Sequence, residues 1–439
     1  MSQPIASASP ATATGSHTVR NVIAATIGHG LENYSYGVYA LMAGIISGKY
    51  FPAEDPTVSM LLTTGTFAAS FLARPLGAVV LGAYADRKGR IPAMVVCIRL
   101  MFLGSILMAL APTYQSIGMF APALMLLALL VNGFSYGGEF ASATAFLIEQ
   151  NPKRRGFFGS WVITSQAVAS LVAAGMLAAL SHGLPKEAFE TWGWRIPLAF
   201  GVLVGPVGYY LRRKLPDSPE FRAHMAQVPA ERQHPLGEVL RTQKAQMLVI
   251  VGLVAGTTSI TYMVSYLPTV GVRELGMPAS VTYTAAMVGY AVTVLVVPIM
   301  GQLSDQFGRV RVMRTGIIAF AVVVYPLFLL LSTRPTLFVM ITVLVLIAII
   351  TNAYIAPNAS FKAEVFPLHT RGTGMSLGYN IGVVIFGGAT PLIATWLIRA
   401  TGTPTAPSLW LIVAAVLSII AVVYGSPFAA KHASGVEEP

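Results

Sequence analysis

Charge is scarce in this chain: of its 439 residues only 10% are Asp, Glu, Lys or Arg, against about 25% in an ordinary soluble domain. Water is therefore not the main solvent of the folded chain. Cysteine is nearly absent, and Cys97, the one that exists, sits in an apolar run; this excludes an intrachain disulfide and argues against a cysteine metal site. No G-x-x-x-x-G-K-[ST] stretch and no H-E-x-x-H pair occurs, so ATP hydrolysis, metalloprotease chemistry and a bound metal or cofactor are not expected.

Apolar length is what the chain has instead. Hydrophobic residues make up 55% of it and the mean hydropathy is +0.69, too much for a single anchor. Residues 1–19 are mostly Ser, Ala, Thr and Pro without a basic segment leading into a short apolar stretch, which predicts a disordered tail rather than a secretory signal. Twelve apolar runs long enough to cross roughly 30 Å of hydrocarbon follow, near residues 20–47, 58–83, 92–111, 119–149, 157–181, 192–211, 246–268, 280–303, 312–332, 336–361, 372–399 and 406–428. The fold class expected is an all-α membrane protein with twelve transmembrane helices in two pseudo-symmetric six-helix bundles.

The formal charge of +11 does not point to nucleic acid, because the cations lie between apolar runs rather than on one face. They cluster in every second connection, at Arg87, Lys88 and Arg90, at Lys153 to Arg155, from Arg212 to Lys244, at Arg309, Arg311 and Arg314, and at Arg371. Those loops are cytoplasmic by the positive-inside rule, and so are both termini. Lys49, Lys186, Arg195, Arg273, Arg334 and Arg399 are isolated cations on the other side. The expected order is a tail over 1–19, a bundle over 20–211, a cytoplasmic linker over 212–245 marked by Pro216, Pro219, Pro229 and Pro235, a bundle over 246–428 and a cytoplasmic tail over 429–439.

The two halves repeat one motif, G-x-x-x-D-x-x-G-R. It reads Gly82-Ala-Tyr-Ala-Asp86-Arg87-Lys88-Gly89-Arg90 after the second run and Gly301-Gln-Leu-Ser-Asp305-Gln306-Phe307-Gly308-Arg309 after the eighth. The fourth and tenth runs also end alike, in Glu149 with Arg155-Gly156 and Glu364 with Arg371-Gly372. Glycine lets helices turn sharply and approach, while the aspartate is placed to pair with arginine or to meet a helix N-terminus. Asp86, Arg87, Arg90, Asp305, Arg309, Glu149, Arg155, Glu364 and Arg371 are thus candidate gating residues of a bistable latch, and doubled bundles suit alternating access.

With these motifs the chain resembles the major facilitator superfamily. Arg74-Pro-Leu-Gly77, Gly133-Phe-Ser-Tyr-Gly-Gly-Glu139, Trp192-Gly-Trp-Arg-Ile-Pro197 and Leu215-Pro-Asp-Ser-Pro-Glu-Phe221 are similar to its metabolite:proton symporter family. The stretch from Phe71 to Arg90, Ala111-Pro-Thr-Tyr-Gln-Ser-Ile117 and the stretch from Trp192 to Lys214 look most like citrate and tricarballylate carriers. Two departures stand out. Proton-coupled members of that family often carry E-x-Y-D in the first span and an arginine shortly before Q-G-F in the fourth; here the sequence reads Glu32-Asn33-Tyr34-Ser35 and Leu129-Leu130-Val131-Asn132-Gly133. Losing both members of an acid–base pair together avoids a lone intramembrane charge, and it puts the usual coupling residues in question.

Four ionisable residues, Glu32, Arg74, Arg99 and Glu139, lie well inside spans of the first half. Their charges sum to zero, which predicts either a buried ion network or a working site. In the working site Arg74 or Arg99 attracts a substrate carboxylate while Glu32 or Glu139 exchanges a proton; for Arg99, snorkelling to the surface is the competing expectation. His29, in Gly28-His29-Gly30, is a third proton candidate because its ordinary pKa lies near neutrality. Asn33, Tyr36, Asn132, Tyr136 and Gln166 from the first half, with Tyr262, Tyr266, Asn352, Asn358, Tyr379 and Asn380 from the second, can hydrogen-bond a substrate without adding charge. Lys362, close to Glu364, reads as half of a local pair at the cytoplasmic gate.

The resemblance and these residues imply a secondary transporter, not an enzyme, in a bacterial inner membrane. Its expected partners are a small organic anion of citrate type, a proton or sodium ion and the lipid bilayer, and one twelve-span chain suffices as a working monomer. A zwitterion such as proline or betaine, or a facilitator or exporter without the usual proton coupling, is the alternative.

Overall fold

The computed structural model describes residues 26, 29–30, 33–88, 90–137, 147–148, 154–203, 205–207, 236–367 and 370–433. Among the described residues helices follow one another in the order of the twelve apolar runs, and no strand occurs. The first span covers residues 33–50 with a turn at Met42. The second comprises Pro56–Phe71 and Ala73–Lys88, the third Arg90–Leu110 and the fourth Phe120–Tyr136. The fifth is Arg155–Gly183; the sixth is assembled from Lys186–Ala188, the π-helical Phe189–Gly193 and Arg195–Val202. In the second half come Lys244–Arg273, Ala279–Phe307, Arg309–Thr333 and Leu337–Glu364 as the seventh to tenth. The eleventh joins Arg371–Gly382, the π-helical Val383–Gly388 and Ala389–Thr401, and the twelfth is Pro407–Ala433. Of the linker expected over 212–245, residues 212–235 lie outside the described ones, and Leu236–Thr242 is a short helix.

Local chemistry sets the ends. The Asp55 side chain accepts from the Thr57 amide at 2.7 Å with Pro56 in the first turn, so the second span starts there. Gly308, the glycine before the arginine of the second motif copy, has φ 90; only glycine adopts this readily, and it lets the eighth helix hand over to the ninth with no intervening loop. The seventh run, expected to stop at 268, continues through Pro268 to Arg273. A proline costs a helix one amide and a clash in water, but inside a membrane protein neighbouring helices absorb the break.

Within the first half the third span packs on the fourth and sixth, and the second on the fourth. Within the second half the eighth and ninth pack on the tenth, and the seventh and ninth on the twelfth. The halves meet where the fifth runs along the eighth and tenth and the second lies against the eleventh. The crossing of the second and fourth helices is the closest: a β-carbon on Gly133 would meet the Ser70 carbonyl oxygen, one on Gly137 the Arg74 carbonyl oxygen, and one on Gly77 the Phe134 carbonyl oxygen. Gly133-x-x-x-Gly137 is a small-residue seam of the kind that drives helix association in lipid, and it draws Arg74 into the interior.

Candidate substrate cage and gates

Arg74 stands about midway along residues 56–88 and is only 1% exposed. Its Cζ lies 4.0 Å from the centre of the Phe71 ring, 4.4 Å from Tyr136 and 4.5 Å from Tyr36. Across the junction of the halves, the Tyr262 hydroxyl of the seventh span accepts a long 3.5 Å contact from Nη2, and the Tyr262 ring is edge-on to Phe71 at 5.3 Å. The Arg74 Nε has no hydrogen-bond partner, and among the described residues no carboxylate pairs with this guanidinium. Each ring face supplies up to about 2 kcal/mol to a desolvated cation, and burying an unpaired ion costs several kcal/mol. The aromatic box therefore holds the charge while leaving a strong appetite for an anion. Tyr379 of the eleventh span also lies within electrostatic reach of Arg74, and Asn380 beside it donates to the Gly137 carbonyl at 3.1 Å.

A chain of polar contacts leads into this box. His29 Nε2 lies 2.9 Å from the Gln166 amide nitrogen and 3.4 Å from the Asn33 amide nitrogen. Asn33 Oδ1 accepts from the Tyr136 hydroxyl at 3.0 Å, and the Tyr136 ring covers Arg74. His29 is 1% exposed, so the chain joins an imidazole to the guanidinium through protein groups alone. Asn132 is buried with neither end of its amide hydrogen-bonded, and the amide presses on Gly104. Next to this place Ser35, standing where the family pattern has aspartate, lies 3.1 Å from Ser105.

The other candidates separate from the box. Arg99 is exposed and shares its helix face with exposed Leu103 and Leu110, so it does not join a buried network with Arg74. Tyr266 is bound to Thr395 at 2.7 Å, and Asn352 donates to its own helix at Ala348 at 2.6 Å. Asn358 is buried and is a hydrogen-bond partner of Tyr354. Glu32, Glu139 and Glu149 lie outside the described residues, as do the side chains of Asp86, Arg87 and Arg90. Gly133-Phe-Ser-Tyr-Gly137 spells the letters of a hydrolase nucleophile elbow, but it runs within one helix and Ser135 donates to the Cys97 carbonyl at 2.6 Å; the strand–turn–helix setting of a nucleophile is missing.

At the end carrying the second motif copy, Asp305 accepts from the Gly156 and Phe157 amides at 2.8 and 2.9 Å, capping the fifth helix of the opposite half. Arg309 lies 3.4 Å from Asp305 and also pairs with Glu364, which in turn is 3.7 Å from Arg155. Ser360 donates to the Arg155 carbonyl at 2.6 Å, and Arg371 is half-buried at the first turn of the eleventh helix. Lys362, expected to pair with Glu364, instead has its Nζ 5.0 Å from the centre of the Tyr379 ring. Residues two apart on a helix point about 200° apart, which is why the arginines take Glu364 and the lysine turns inward. At the opposite end Arg273 donates to Ser47 Oγ at 2.8 Å and to the Pro56 carbonyl at 3.0 Å. Arg399 pairs with Asp55 at 3.0 Å. In the sequence these two arginines are only isolated cations, and the one signal for Phe71 is its position three residues before Arg74, on the same helix face.

The profile described as "Sugar (and other) transporter" matches residues 21–232, and that described as "Major Facilitator Superfamily" matches residues 279–438. A "Citrate-proton symporter" of Klebsiella pneumoniae is 36% identical over 94% of this chain and 93% of its own length. A "Glycine betaine/proline/ectoine/pipecolic acid transporter OusA" of Dickeya dadantii is 33% identical over 94% and 84%. Among solved structures, the partially occluded inward-open xylose transporter XylE from E. coli superposes with a TM-score of 0.71 at 14% identity, covering 94% of this chain and 98% of that one; this likeness concerns the fold alone.

Proposed function

Since the chain belongs to the major facilitator superfamily and is a secondary transporter, we propose that it carries a small organic anion of the di- or tricarboxylate class, with protons, across a bacterial inner membrane. The observation that carries this reading is the buried Arg74 guanidinium in its aromatic box, without a carboxylate among the described residues and at the junction of the two halves. A substrate carboxylate completes it by a bidentate, charge-assisted pair. Arginine keeps its charge at any physiological pH, so the coupling proton resides elsewhere: on His29, which reaches the box through Asn33 and Tyr136, or on Glu32 or Glu139. Proton entry offsets the work of moving an anion inward against the membrane potential, about 2.3 kcal/mol per charge per 100 mV. Asp305, Arg309, Arg155 and Glu364 form the cytoplasmic gate, with both termini on that side by the distribution of cations. Arg273 and Arg399 close the other side.

A second reading has its own support. A box of Tyr36, Phe71 and Tyr136 also suits a quaternary ammonium, and a relative named for glycine betaine and proline lies at similar identity. In that case Arg74 holds the single carboxylate of a zwitterion. Uptake of labelled citrate, 2-oxoglutarate, shikimate and betaine into reconstituted vesicles, under a proton gradient, a sodium gradient or none, separates the readings. Carboxylate accumulation driven by protons and lost in Arg74→Gln is expected; betaine entry with citrate excluded would overturn the anion reading. Unchanged pH dependence in His29→Gln, Glu32→Gln and Glu139→Gln would remove all three from coupling.

A further inference from the structure

The eleventh span leaves α-helical register at the π-helical turn Val383–Gly388, and two consecutive buried glycines close that turn against the Arg74 box. A β-carbon on Gly388 would stand 2.5 Å from Phe71 Cδ2, 2.9 Å from Phe71 Cγ and 3.0 Å from Ala68 Cα; one on Gly387 would stand 3.1 Å from Tyr262 Cε2. Successive residues of an α-helix point about 100° apart. The wider i→i+5 turn brings them nearer to one face, which is how neighbouring glycines come to lie under two rings of one box. The turn is held from behind. Thr390 donates to the Phe386 carbonyl at 2.6 Å, Trp410 of the twelfth span donates to the Thr390 hydroxyl at 2.9 Å, and Phe386 stacks on Trp410 at 5.7 Å. Phe71 has no room to move aside either: it is fully buried, with the Phe67, Tyr262 and Tyr36 rings edge-on at 5.1, 5.3 and 5.4 Å and the Arg74 guanidinium over its face.

Resting on the anion reading above, we propose that Gly387 and Gly388 are positioning residues of the carboxylate site, which act by setting how the Phe71 and Tyr262 rings lie on Arg74. A side chain at 388 has to be absorbed by Phe71, because the other atom it meets, Ala68 Cα, is backbone. Restoring an ordinary carbon–carbon contact from 2.5 Å moves the ring by roughly 1 Å, about twice the 0.5 Å within which a binding constellation has to be held. The ring then presses on the guanidinium, and the planar fork of donors that a carboxylate engages is turned out of line. Arg74 belongs to the first half and the two glycines to the second, so the backbone of one bundle fixes the binding geometry of the other.

The test measures labelled citrate binding and Tm on the full chain in proteoliposomes. Gly388→Ala is expected to weaken citrate about tenfold. Gly387→Ala, whose methyl meets only 3.1 Å contacts, should weaken it two- to threefold, and it carries the test if Gly388→Ala does not fold. In a Phe71→Ala background, which removes the two ring atoms that the new methyl meets, adding Gly388→Ala should change affinity less than twofold. Gly252→Ala is the control: its methyl meets Ala421 at 2.7 Å, about 15 Å along the seventh helix from Tyr262, so Tm should fall with citrate affinity unchanged. Citrate affinity unchanged in whichever of Gly388→Ala and Gly387→Ala folds overturns the proposal. So does a loss from Gly388→Ala that is as large without Phe71 as with it, or an equal loss in Gly252→Ala; each would mean that the glycines serve the fold only, and the anion reading stands. Failure of citrate to bind the unmodified protein overturns the anion reading itself, and the positioning role with it.

Discussion

The two ends of the molecule bring its halves together by different chemistry. At the motif end Asp305 caps a helix of the opposite half through two amides, and Arg309, Glu364 and Arg155 share charges that are largely withdrawn from water. At the other end Arg399 meets Asp55 with side chains 47% and 43% exposed, and Arg273 leans on a hydroxyl and a carbonyl. Breaking one partner of a buried charge pair costs about 3–5 kcal/mol, whereas exposed pairs contribute little and are screened by salt. The motif end is accordingly the strong latch and the opposite end the weak one. If each end opens in turn and substrate binds at the proposed Arg74 site, binding there has most to do at the motif end.

The comparison breaks most readily at Asp305. Asp305→Asn removes the charge from the cap of the fifth helix and from Arg309, and about 3 kcal/mol corresponds to a shift of roughly a hundredfold toward an open motif end. Maleimide labelling of Ser160→Cys, beside Gly301, in a Cys97→Ser background should accelerate accordingly; an unchanged rate would show that the network is not a latch. A smaller effect is expected at Gly137, which packs against the Arg74 backbone and accepts from Asn380. Gly137→Ala forces a methyl group onto the Arg74 carbonyl, and overpacking costs about 1–3 kcal/mol, readable as a lowered Tm and weakened anion binding. Gly48→Ala, near the opposite end with open space around it, serves as its control and should leave both unchanged.

The smallest effects belong to the weak latch. Arg399→Gln should change labelling at its own end only slightly, and the change should vanish in 0.5 M salt, about three times physiological ionic strength. The Thr57 amide, and after it Arg399, hold the Asp55 carboxyl below the ordinary carboxylate range. Because the folded-state value is depressed, its contribution is complete above an ordinary carboxyl pKa of about 4 and is lost as pH falls through the lower folded value. Labelling of Gly48→Cys, divided by the rate of a free thiol at the same pH to remove the change in thiolate fraction, should thus be flat between pH 5 and 8 and rise only in stronger acid. A rise near neutrality would mean that another group controls this gate.

The same contrast explains what could be read in advance. The turn at Gly308 follows from a motif whose parts lie within nine residues, where spacing constrains geometry; the same motif marks Asp305 as a residue that can cap a helix, but the helix it caps begins 149 residues away and only the fold supplies it. Arg273 and Arg399 contact partners more than 200 residues away, and nothing local marks them as more than cations at helix ends. Lys362 lies two residues from Glu364 in the chain but turns to the Tyr379 ring, because residues two apart on a helix point about 200° apart.

By itself the sequence determined that the chain lives in a membrane, that it crosses in twelve runs arranged as a repeated half, and which family it belongs to, because run length, charge distribution and motif spacing are properties of the linear chain. Only the tertiary structure decided that Arg74 is sealed in an aromatic box while Arg99 faces outward. Both arginines sit in apolar helices, and in a membrane the lipid-facing and core-facing sides of a helix are equally apolar. Which way a helix is turned is settled by packing against its neighbours, here by the close glycine crossing of the second and fourth spans.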